Sequence, residues 1–192
     1  MENKITELKY VDLFAGVGGI RLGFTQAAQD FGIQTECVFT SEIDDWACKT
    51  YRKNFSDDNH DPKSDITKVD EKSLPDFEIL LAGFPCQAFS IAGKRGGFND
   101  TRGTLFFDVA RIIKEKKPRA FLKDKQPKAF ILENVKGLLS IQNGEVFNMI
   151  VEKLKDVGYN IYTKILEAKD YGTPQLRKRL FFVGIRKDIC AN

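Results

Sequence analysis

Histidine is almost missing from this chain: His60 is the only one in 192 residues. That argues against serine–histidine hydrolysis and most histidine-based metal chemistry, and leaves acid–base work to carboxylates, cysteine or lysine. Cysteine is scarce too. Cys37, Cys48, Cys86 and Cys190 show no Cys-x-x-Cys spacing, so neither a structural zinc site nor a disulfide framework is expected, and a reducing cytosol suits them. No apolar run approaches the roughly 20 residues that a membrane helix needs. Met1-Glu2-Asn3-Lys4 leads straight into a strand-like segment, so no secretory signal is predicted. A membrane role and a bound metal are therefore not expected.

The net charge of +3 is too small to declare a nucleic-acid partner. Its distribution says more. Eight Lys/Arg face two acids between positions 111 and 128, and Arg177, Lys178, Arg179, Arg186 and Lys187 crowd the carboxyl end. Such clusters either face phosphates or form solvated surface.

Apolar runs alternate with helix-like stretches, the pattern of a mostly parallel α/β sheet. Strands are expected at 10–14, 37–40, 79–83 and 129–132, and helices at 20–30, 45–54, 105–115 and 144–157. A terminal antiparallel hairpin should join 159–166 to 180–184. No linker interrupts the series, so one domain over 1–192 is expected. The loop 90–104 is glycine-rich and basic, and loops this long inside a compact domain are usually functional or disordered. A local echo, Lys117-Pro118-Arg119-Ala120-Phe121 against Gln126-Pro127-Lys128-Ala129-Phe130, has no functional reading.

Phe14-Ala15-Gly16-Val17-Gly18-Gly19 follows a strand and opens a helix, where glycines let backbone approach a ligand. Nicotinamide folds use a similar turn. The Gly-x-Gly-Gly spacing, and Asp12 ahead of the turn where a ligand would carry an ammonium, lean toward S-adenosylmethionine. Glu42 at the next strand end suits ribose hydroxyls, Ile43 offers an apolar face for adenine, and Asp65-Ile66 could hold the adenine amine. Asp65 as a plain helix cap is the alternative. Trp46, Cys37 and Cys48 read as packing residues.

Gly83-Phe84-Pro85-Cys86-Gln87 presents a thiol directly after a proline at the end of an apolar run, and Glu133-Asn134-Val135 ends another. A thiolate is a strong, soft nucleophile when its pKa is lowered. With the glycine turn, Ser41-Glu42-Ile43-Asp44, Arg102-Gly103-Thr104-Leu105-Phe106 and Gln175-Leu176-Arg177-Lys178-Arg179, six motifs in order resemble the cytosine-5 DNA methyltransferase family. The resemblance runs from about Tyr10 to Ile185. It implies a Rossmann-like AdoMet-dependent fold. It also implies that Cys86 adds to carbon 6 of a cytosine flipped out of double-stranded DNA, activating carbon 5 for methylation. Glu133 would hold the base at nitrogen 3 and its amine, Arg179 the base oxygen, and Arg177 would lend positive potential. Phe14, Gly16, Gly18, Gly19, Pro85 and Leu105 join Asp12, Glu42, Ile43, Asp65 and Ile66 as implied cofactor residues. Gln87, Ser90, Arg95, Asn134 and Gln175 are implied DNA contacts.

Complete members of that family continue into a target-recognition region and a closing carboxyl segment, for which no motif is found here. The expectation is a catalytic region truncated at its carboxyl end: a fragment, a truncated gene, or one subunit of a split enzyme whose second chain carries the rest. Bacterial restriction–modification and a cytoplasmic location are implied by resemblance alone. A catalytically silent DNA- or partner-binding remnant, an RNA cytosine-5 methyltransferase and a dinucleotide oxidoreductase are the rival readings.

Overall fold

The structure is a computed structural model and describes residues 7–85, 105–115 and 127–189. Six strands form one sheet: β1 (Glu7–Leu13), β2 (Gln34–Ser41), β3 (Ile79–Ala82), β4 (Ala129–Val135), β5 (Tyr159–Glu167) and β6 (Lys178–Arg186), in the order β2-β1-β3-β4-β6-β5. β2, β1, β3 and β4 are parallel. β6 runs antiparallel to both β4 and β5, which closes the expected terminal hairpin. Helices α1 (Gly19–Asp30), α2 (Asp45–Asn54), α3 (Leu105–Glu115) and α4 (Glu145–Asp156) connect them.

Ile79-Leu80-Leu81-Ala82 can sit at the centre because both of its faces are apolar. Leu80 joins the larger core with Phe106, Ile112 and Ile113 of α3 and Ile150 and Leu154 of α4. Leu81 turns to the other face, with Tyr10 and Cys37 and with Ile20 and Phe24 of α1. A sheet covered on both faces is what near-continuous apolar strands require. α2 starts cleanly because the Asp44 carboxylate accepts the Ala47 N–H at 2.7 Å, satisfying one of the free donors of the first turn. Cys37 and Cys48 are buried, as expected of packing residues. Trp46 is not: it stands 74% exposed on α2, with the Lys49 ammonium 4.2 Å from its ring centre. It lies at the outer start of the helix, whose inward face is supplied by Cys48 and Tyr51.

The chain passes outward from β1 to β2 and then returns to place β3 on the other side of β1. Strand order therefore reverses between β1 and β3. In open α/β sheets the crevice outside the carboxyl ends of the strands at such a reversal is where ligands bind.

Candidate active site

The glycine turn lies at that reversal. Phe14 leaves β1 with φ of +54°, a left-handed conformation uncommon outside glycine, and Gly16 and Gly18 follow at +56° and +92°. The Ala15 N–H donates to the Ser41 carbonyl (3.2 Å) and the Gly83 N–H to the Leu13 carbonyl (3.3 Å), tying the turn to the ends of β2 and β3. The outer side of the turn is open: a Cβ on Gly16 or Gly19 would meet nothing within 4 Å. The inner side is closed. A Cβ on Gly18 would fall 2.1 Å from the Phe55 ring. Gly18→Ala is expected to cost about 1–2 kcal/mol in backbone strain and about 1–3 kcal/mol in displacing that ring. Chemical denaturation checks the stability loss, and calorimetry should show AdoMet affinity weakened at least about tenfold, the equivalent of about 1.4 kcal/mol.

Glu42 sits across the mouth of the turn. Its Oε2 accepts the Gly16 N–H and its Oε1 the Ile43 and Asp44 N–H groups, each at 2.8 Å. A carboxylate has about four lone-pair sites, so one remains on Oε2 for a further donor. Ile43 beside it is 64% exposed. Asp65 caps the short 3-10 turn Ile66–Lys68, accepting both the N–H (3.1 Å) and the hydroxyl (2.7 Å) of Thr67. Those bonds hold its carboxyl below the usual carboxylate range. Ile66 is buried in the core, Leu105 is half-buried at the start of α3, and Pro85 is exposed.

Asp12 does not face the open side of the turn. It is 1% exposed, and its Oδ2 accepts the Tyr51 hydroxyl at 3.4 Å. Behind it runs a polar network that the sequence did not announce. Arg21 on α1 donates to Tyr51 (2.8 Å) and to both oxygens of Asp58 (2.5 and 2.7 Å). Its guanidinium lies 3.8 Å from the centre of the Phe55 ring, the same ring that packs under Gly18. Thr40 joins Tyr51 (3.0 Å) to His60 Nε2 (2.8 Å). Cys37, Asp58 and His60 bring three metal-ligand types within 4.8 Å, but Arg21 holds both oxygens of Asp58 and the Thr40 hydroxyl holds the imidazole. A cavity of about 510 Å³ opens beside them, lined by Lys9 and Glu36 as well.

Burial pushes the Asp12 carboxyl up to about 7, against the pull of Arg21 and the Tyr51 hydrogen bond. A carboxyl whose folded-state pKa is raised keeps its proton where the unfolded chain has lost it. Folding stability therefore falls as pH rises from about 4 to about 7 and levels off above. Asp12→Asn removes that slope. The melting temperature of this variant relative to wild type is expected to climb across the same window and stay constant from pH 7 to 9, as a thermal-melt series would show.

Glu133 and Arg179 form the charged centre of the site. Glu133 lies within β4 rather than beyond its end, and Arg179 at the start of β6, where Val135 pairs with Arg179 and Glu133 with Phe181. The Arg179 Nε donates to Glu133 Oε1 at 2.8 Å, and both side chains are about one-fifth exposed. A Cβ on Gly83 would lie 3.7 Å from Glu133 Oε2 and 3.8 Å from the Phe14 carbonyl oxygen. The carboxylate, the end of β3 and the glycine turn thus converge at one place. Gln175 and Arg177 are exposed in the loop before β6. Asn134, one residue on from Glu133, points the other way and is 2% exposed. Cys86, Gln87, Ser90 and Arg95 lie outside the described residues, as does the loop 90–104.

The model of the C-5 cytosine-specific DNA methylase family matches residues 8–192. The chain belongs to that family. It is 49% identical over 189 residues to the type II methyltransferase M1.ScrFI of Lactococcus lactis subsp. cremoris, covering 98% of this chain and 44% of that protein. To the type II methyltransferase M.HhaI of Haemophilus parahaemolyticus it is 43% identical, covering 98% of this chain and 52% of that one. The chain therefore spans about half the length of the curated relatives it matches. Among solved structures, Spodoptera frugiperda DNMT2 superposes with a TM-score of 0.72 at 24% identity, over 95% of this chain and 51% of that one. The Entamoeba histolytica methyltransferase EhMeth does so at 0.67 and 24%, over 97% and 55%. These likenesses establish the fold as that of Rossmann-like methyltransferases, with the same half-length coverage.

Proposed function

We propose that residues 1–192 form the AdoMet-binding catalytic domain of a DNA (cytosine-5)-methyltransferase, acting in the cytoplasm on double-stranded DNA. The observation that carries this reading is the Glu133–Arg179 pair, held beside Gly83 and the Phe14 carbonyl at the strand-order reversal. A carboxylic acid fixed next to a guanidinium can grip the nitrogen 3, amine and oxygen edge of a cytosine. Cys86, three residues past Gly83, supplies the nucleophile that family membership requires. Its thiolate forms a bond to carbon 6, and the electrons of the 5,6 double bond move to make carbon 5 nucleophilic. Loss of the carbon 5 proton after methylation then restores that double bond and expels the thiolate. A base buried in a duplex must first be flipped out for the thiol to reach it.

The residues present fit the cofactor. Gly16, Gly18 and Gly19 give a turn open on its outer side, Glu42 keeps a free lone pair at its mouth, and Ile43 presents an apolar side chain there. S-adenosylmethionine supplies an electrophilic methyl group. Phe14, Pro85, Leu105 and Asp65 are assigned to the same site, with Asp12 and Ile66 supporting it from the buried side. Arg177 contributes positive potential beside Arg179, and Gln87, Ser90, Arg95 and Gln175 are assigned to DNA. Among the described residues no helix is long and apolar enough to cross a membrane. A second chain carrying a target-recognition region is a further proposed partner.

Transfer of labelled methyl from AdoMet to unmethylated mixed-sequence DNA tests the reading. Transfer to DNA is expected. AdoMet binding with no transfer, here and with the remaining half of a relative supplied, would mark a silent binding remnant. Transfer to RNA alone would move the activity to the RNA enzymes.

A further inference from the structure

Asn134 is a polar residue on the inward face of β4, alternating with Phe130 and Leu132, both fully buried. An amide in such a place is costly unless its hydrogen bonds are made. Here both ends are used. The Nδ2 donates to the Phe84 carbonyl at 2.9 Å, and the Oδ1 accepts the Val135 N–H at 2.8 Å. The Phe84 carbonyl needs this partner because the β3–β4 ladder stops at Ala82 opposite Leu132. Beyond that point the chain has left the sheet, and the asparagine side chain stands in for the next rung.

Phe84 is anchored twice over. Its ring is 2% exposed and lies 5.6 Å, centre to centre, from that of Phe106 on α3. Pro85 follows, with φ locked by its ring. The peptide that leads into position 86 is therefore fixed by a buried ring, a buried hydrogen bond and a proline. On the other side of the same strand, Glu133 reaches the mouth of the site.

We infer that Asn134 is a positioning residue for the Cys86 nucleophile: it clamps the Phe84 carbonyl to the strand that carries Glu133, and it makes no direct contact with DNA. This rests on the activity proposed above. One strand then sets both reacting partners, with the base-holding carboxylate on one face and the thiol's pedestal on the other. Misplacing a reacting group by about 1 Å costs on the order of 10²-fold in rate.

Two variants and two readouts test it. Asn134→Ala is expected to lower the single-turnover rate of methyl transfer at saturating DNA by about 10²-fold, with DNA and AdoMet affinities little changed. Asn134→Asp loses the donor at high pH. Burial raises a carboxyl pKa, so on acidification the carboxyl regains a proton and can donate to Phe84 again. Its rate relative to wild type should therefore rise from pH 8 to pH 6, while the Asn134→Ala ratio stays flat. Independently of turnover, hydrogen exchange in Asn134→Ala should quicken at the Phe84 and Val135 amides. An unchanged saturating rate with weakened DNA binding would overturn the inference and make Asn134 a DNA contact. Unchanged exchange at Phe84 would overturn it as well. Absence of transfer in wild type would sink the activity reading alone, since exchange still decides the clamp.

Discussion

Cys86→Ser is expected to reduce methyl transfer to cytosine by on the order of 10⁴-fold or more, while leaving AdoMet affinity and the melting temperature within error. The effect is large because the reaction needs an anion at this position. A thiol with a pKa of about 8.5 is partly ionised near neutrality and is intrinsically nucleophilic. A serine hydroxyl there has no neighbouring histidine to take its proton: the chain's only one, His60, is bound to Thr40 in the network behind the glycine turn. The fold should not notice the change. Phe84 holds the segment through its buried ring and its carbonyl, and the exposed Pro85 already separates position 86 from the core. Single-turnover assays with calorimetry of AdoMet binding separate the two effects. A matching loss of cofactor affinity would mean that Cys86 supports the pocket instead of attacking the base.

Glu133→Gln should lower the transfer rate by about 10²–10⁴-fold, the range for removing a positioned acid–base group. The substitution keeps the size of the side chain and removes its charge and its acid. Two consequences follow. The Arg179 guanidinium, now 2.8 Å from the carboxylate, loses its counter-charge in a site only about one-fifth exposed. The base loses the group that stabilises the protonated adduct. Stability should change little, because a partly exposed pair contributes on the order of 1 kcal/mol. Pre-steady-state rates and a denaturation curve give both numbers. A rate within threefold of wild type would remove Glu133 from the chemistry.

Much of this arrangement was legible in the sequence. The parallel order of the first four strands follows from apolar runs alternating with helical stretches, and every motif expected in the site that the structure describes sits at or just beyond a strand's carboxyl end. Glu133 differs only by one register: β4 runs on to Val135 because β6 pairs along its full length. Asn134 had a readable signal that went unused. It shares parity with Phe130 and Leu132 in a strand whose burial alternates, and parity alone assigns it inward. Asp12 had none. Val11, Asp12 and Leu13 are all buried because β1 is covered on both faces, so alternation carries no information there. The Arg21–Asp58–Phe55 network was equally hidden. It joins positions more than 30 residues apart, and an arginine on an amphipathic helix reads as surface until its partner is known.

The most direct test of the central claim is intact-mass analysis of the chain after incubation with AdoMet and double-stranded DNA containing 5-fluorocytosine. Fluorine at carbon 5 cannot leave as a proton does, so the thiolate that has added to carbon 6 stays attached. A covalent protein–DNA adduct that maps to the peptide carrying Cys86, and that is lost in Cys86→Ser, is the predicted result. An adduct persisting in that variant, or mapping to Cys37, Cys48 or Cys190, would contradict the account.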